Sequence, residues 1–145
     1  METLETTTAS AEVLEQYYSA IKEAQSDLEF YGTEIQFFDS LINMNLLLKL
    51  DERNLNEAQD ADRELRKLEK QKEMLKTSAS DFVIGIENII NKTSSNNANR
   101  LRADFAGLKH QFYLFTEAFR SFKRQLFAET ETSLKSEKMK HLLNP

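Results

Sequence analysis

Few residues in this 145-residue chain have a type and spacing that could do chemistry. Acid–base or metal work would fall to two histidines, His110 and His141, and to 24 carboxylates. Thiolate chemistry is excluded, because there is no cysteine. A di-iron bundle needs Glu-x-x-His pairs that project inward from two helices. Here the nearest approach is Glu137 and His141, four apart and close to the C-terminus. The sequence holds no H-E-x-x-H, phosphate loop, Gly-rich dinucleotide turn or nucleophile elbow. Among the carboxylates, Glu34 stands out because it flanks the apolar residues Ile35 and Phe38. A charge in that setting reads as a flanking partner for a neighbouring helix, as at coiled-coil edges. No catalytic, cofactor or metal residue is assigned, and the chain is expected not to be an enzyme.

The elements that would position these groups are legible as three heptad seams. In the third, Leu101, Phe105, Leu108, Phe112, Phe115, Phe119, Phe122 and Leu126 recur at alternating steps of four and three. Such steps keep every ring on one face of an α-helix. Rings this wide suit a core closed by two or more other helices. His110 then falls on the opposite, solvent-facing side. The first seam runs Leu14, Tyr17, Ile21, Ala24, Leu28, Tyr31, Ile35, Phe38, Ile42 and passes straight through Gly32. The second runs Leu55, Ala58, Ala61, Leu65, Leu68, Lys72, Leu75, Ala79, Phe82, Ile86, Ile89, with one three-residue slip. Lys72 on that seam is expected to snorkel its ammonium to water.

With three Gly and a single, C-terminal Pro, the chain is nearly free of helix breakers. The segment Asn91-Lys92-Thr93-Ser94-Ser95-Asn96-Asn97 is the clearest loop, and Asn96 or Asn97 is placed to cap the third helix. The turn at residues 49–54 is weakly marked, so one helix of about 80 residues is the rival reading there. A short buried strand is the rival reading at Phe82 to Ile86. The expected fold is all-α: an antiparallel up-down-up bundle of three long helices, near 10–49, 52–92 and 97–138, with coiled-coil-like seams. Residues 1–9 read as a disordered N-terminal tail, 10–138 as a single helical-bundle domain and 139–145 as a frayed C-terminal tail.

Charge narrows the classes of partner. Residues 1–50 carry nine Asp/Glu against two Lys/Arg, and residues 96–145 carry nine Lys/Arg against five Asp/Glu. An acidic first helix and a basic last one could pair as neighbours. The net charge of −5 argues against nucleic acid or an anionic membrane as the partner. No apolar run approaches membrane-spanning length, so stable membrane insertion is not expected. Met1 to Ser10 has no basic start and no apolar stretch, unlike a secretory signal. With no cysteine either, a cytoplasmic location is expected.

The expected function is that of a non-enzymatic interaction or scaffold module, self-associating or docking a protein partner through an exposed apolar patch. The residues assigned to that patch are Tyr18, Val83, Ile84, Ile90, Tyr113 and Leu114. Phe82, Ile86 and Ile89 fill the seam of the second helix, so Val83, Ile84 and Ile90 are left over, with Tyr18, Tyr113 and Leu114 off their own seams. A homodimer or another protein is the expected partner. The alternative is an apolar small-ligand or membrane-surface binder that uses the Phe-rich core.

Overall fold

Long breaker-free segments with continuous apolar seams fold as three helices in the computed structural model. It describes residues 7–48 and 52–143, with side chains for 7–44 and 55–129. The helices are α1 (Ala11–Leu48), α2 (Glu52–Ile90) and α3 (Ala98–Leu143). No strand occurs among the described residues, and Phe82 to Ile86 is helical. Of the turn expected at 49–54, residues 49–51 lie outside the described residues. The helices on either side are separate and pair with each other, so the single 80-residue helix is not formed. α3 runs to Leu143, five residues past the expected 138.

Three of the helix ends have a local cause. Ser10 caps α1, its hydroxyl accepting from the Val13 N–H at 3.2 Å. Asn97 caps α3, its side-chain oxygen accepting from the Arg100 N–H at 3.1 Å. Asn96 has a different task. Its amide exchanges two 2.9 Å hydrogen bonds with the backbone of Ala9. The Ala98 N–H also donates to the Thr7 carbonyl at 2.7 Å. Thr7 to Ala9, expected within a disordered tail, are therefore tied to the start of α3.

α2 ends in a Schellman motif. Lys92 takes the left-handed conformation, φ 62°. Its N–H donates to the Ile89 carbonyl at 3.0 Å, and the Thr93 N–H donates to the Asn88 carbonyl at 2.8 Å.

The bundle is up-down-up. α1 and α3 run parallel in a register fixed by Ala9–Asn96, 87 residues apart, and Glu34–Lys123, 89 apart. α2 packs its backbone closely against both, whereas α1 and α3 meet through wide side chains. Tyr17 stacks on Phe105 with centroids 4.4 Å apart. Tyr31 meets Phe119 at 5.1 Å, and Phe38 meets Phe122 edge-on at 5.8 Å. Rings in tilted and edge contacts hold these two helices apart while filling the space between them.

The seams form the core. Ile21, Leu28, Ile35, Phe38, Leu65, Leu75, Phe115 and Phe119 are buried in one cluster. Leu14, Ile86 and Leu101 close the end beside the Asn91–Asn97 loop. The seams are not buried throughout, and Phe82, Ile89 and Phe105 are half-buried. Phe112 is half-buried as well. By the register it stands level with Ala24, as Phe105 does with Tyr17 and Phe119 with Tyr31. Leu55 is exposed at the first position of its seam.

Lys72 lies across Gly32, its ammonium 3.1 Å from where a Cβ would stand. Lys72 is half-buried, with its ammonium 4.0 Å from the carboxylate of exposed Glu73.

Candidate interaction surface

A line of exposed apolar side chains lies on α1, opposite its buried seam. Phe30, Phe37 and Met44 are 64%, 60% and 54% exposed. They recur every seven residues, so they stand in line along the helix. Ser26, Thr33 and Ser40 alternate with them and are also exposed. From residue 26 to 44, this outermost line of α1 carries no charge. A solvent-facing helix ordinarily places its charged residues there. Toward α3, Phe127 is exposed as well and meets Phe38 with centroids 5.8 Å apart.

The six residues expected to form a single patch do not all reach the surface. Val83 is 6% exposed and belongs to the main core. A correction follows from helix geometry: in a three-helix bundle α2 buries a face wider than a two-residue seam, and Val83 falls within it, between Ala79 and Ile86. Tyr18 is half-buried, packed against both core clusters, with the Lys22 ammonium 5.9 Å from its ring centroid.

Ile84, Ile90, Tyr113 and Leu114 are exposed. They do not lie together. Ile90 shares a cleft with Leu14, Tyr18 and Asn96 at the loop end of the bundle. The rings of Phe82 and Phe105 lie 6.0 Å apart, which sets Ile84 level with about residue 103 of α3. Tyr113 is ten residues further on, about 15 Å along the axis.

The groups singled out for chemistry lie apart from one another. Glu34 accepts a hydrogen bond from the Lys123 ammonium at 3.0 Å, across the α1–α3 groove. It is one cross-helix ion pair of α1, and Asp39 pairs instead with Arg66 of α2. His110 is exposed and lies over Tyr113, centroids 6.4 Å apart. The side chain of His141 lies outside the described residues. No buried polar or charged side chain, and no group of three or more His, Cys, Asp or Glu placed to hold a metal, occurs among the described residues. A second cleft gathers Lys22, Lys72 and Lys76 around Gly32, with Glu29 beside them. No helix, among the described residues, is long and apolar enough to cross a membrane.

Sequence reading missed Phe30, Phe37 and Phe127. The available signal was the seven-residue spacing of Phe30, Phe37 and Met44, hidden because Ser and Thr occupy the alternate positions.

Comparison with family models, with curated proteins and with solved structures found no match.

Proposed function

We propose that the chain is a non-enzymatic helical interaction module that docks a protein partner through the outer face of α1. The observation that carries this reading is the uncharged line Ser26–Met44, with two phenylalanines more than half exposed. Contiguous exposed apolar surface on a folded domain commonly marks a protein interface. Aromatic residues and Met are enriched in such interfaces. The net charge of −5, with an acidic α1, favours a protein over nucleic acid or an anionic membrane. Lack of cysteine fits a cytoplasmic setting, which belongs to the same proposal.

An apolar-ligand function has less support. The rings between α1 and α3 pack on one another, Phe119 fully buried and Phe115 nearly so. Neither cleft described above is lined by a phenylalanine.

The test is photo-crosslinking in cells, with a benzophenone side chain at position 37 and, as control, at exposed position 111. The reading expects an adduct of discrete mass from position 37 and none from 111. Equal yields from the two, or no adduct at 37, would contradict it.

A further inference from the structure

The occupant of this surface can be read from its own pattern, on the docking reading just given. We infer that it is a second copy of this chain, with the two α1 helices antiparallel and related by a two-fold axis at the level of Ile35. Along the outer face, large and small residues alternate at steps of four and three: Ser26, Phe30, Thr33, Phe37, Ser40, Met44. This is a second heptad seam, back to back with the buried one. A two-fold axis at Ile35 sets Phe37 against Thr33 of the second copy, Phe30 against Ser40 and Met44 against Ser26. Every large side chain meets a small one, the condition for interdigitated packing. A parallel, in-register pairing would set Phe against Phe and Ser against Ser, alternating clash and void.

Charge favours the same orientation. Parallel pairing lays Glu23, Asp27 and Glu29 of each copy beside their own equivalents. The antiparallel register separates them and brings Glu29 level with Leu41 and Asp27 level with Asn43. Glu34, the acid nearest the axis, is already paired with Lys123 at 3.0 Å.

The area approaches that of a standard interface. At their exposures, Phe30, Phe37 and Met44 offer about 350 Å² per copy. The non-polar share of a standard interface is about 450 Å² per partner. The Thr33 methyl and half-buried Leu41 add to the first figure. Covering Thr33 strands no donor, because its hydroxyl already donates to the Glu29 carbonyl at 3.3 Å.

The chain has no cysteine, so engineered thiols report without background. Ser26→Cys and Met44→Cys, both at exposed positions, are to be purified separately and oxidised alone and mixed at micromolar concentration. The antiparallel dimer expects a covalent dimer from the mixture and none from either variant alone. A dimer from Ser26→Cys alone would overturn the orientation. No covalent dimer in any sample would overturn the second copy as occupant. In that case, an adduct of another mass from position 37 in cells would leave the docking reading standing, and absence of any adduct would remove both.

Discussion

Lys123 of α3 donates its ammonium to Glu34 of α1 at 3.0 Å and lies 5.5 Å from the centroid of the Phe119 ring. The contact joins two parallel helices 89 residues apart in sequence. It sits over the wide aromatic layer that keeps their backbones apart. Both side chains remain partly solvated, so a modest coupling is expected, about 1 kcal/mol. A double-mutant cycle with Glu34→Gln and Lys123→Met, followed by urea denaturation, should show it and should show it shrink in high salt. Coupling indistinguishable from zero at low salt would mean the pair does not help set the α1–α3 register.

The aromatic layer should dominate stability. Phe119→Ala and Phe115→Ala are each expected to cost about 3–5 kcal/mol, the transfer and cavity terms of a buried ring. Half-buried Phe112 should cost about half as much when truncated. Equal losses at all three positions would show that Phe112 is as enclosed as its neighbours.

Lys92 holds a left-handed conformation with φ 62°, which side chains other than Gly and Asn adopt at a cost. Lys92→Gly should therefore stabilise the chain by up to about 1 kcal/mol, with no change in helix content. Thermal melting decides it, and a lower melting temperature would mean the Lys92 side chain makes a contact worth more than the strain.

Much of this architecture could be read from residue spacing, because a heptad seam states both the helix and its buried face. The three seams, the loop at 91–97 and the cap at Asn97 all follow from local pattern. What spacing could not supply was which flank of a seam meets a third helix. Spacing therefore leaves Val83 on the surface, although it is buried in the main core. Phe112 depends on what stands level with it on α1, which is a matter of inter-helix register. The outer line of α1 escaped for another reason: Ser and Thr interrupt it, and an apolar count treats those residues as solvent-facing. Their small size, rather than their polarity, is what an opposing helix would use.

The central claim is that the outer face of α1 is covered by another copy, and sedimentation equilibrium at micromolar concentration tests it most directly. The wild-type chain should sediment at twice its 16.8 kDa mass. Phe37→Glu should sediment at 16.8 kDa with unchanged helix content, while Ile84→Lys, on a different face, stays dimeric. A wild-type chain at 16.8 kDa, or a Phe37→Glu chain still at twice that mass, would contradict the account.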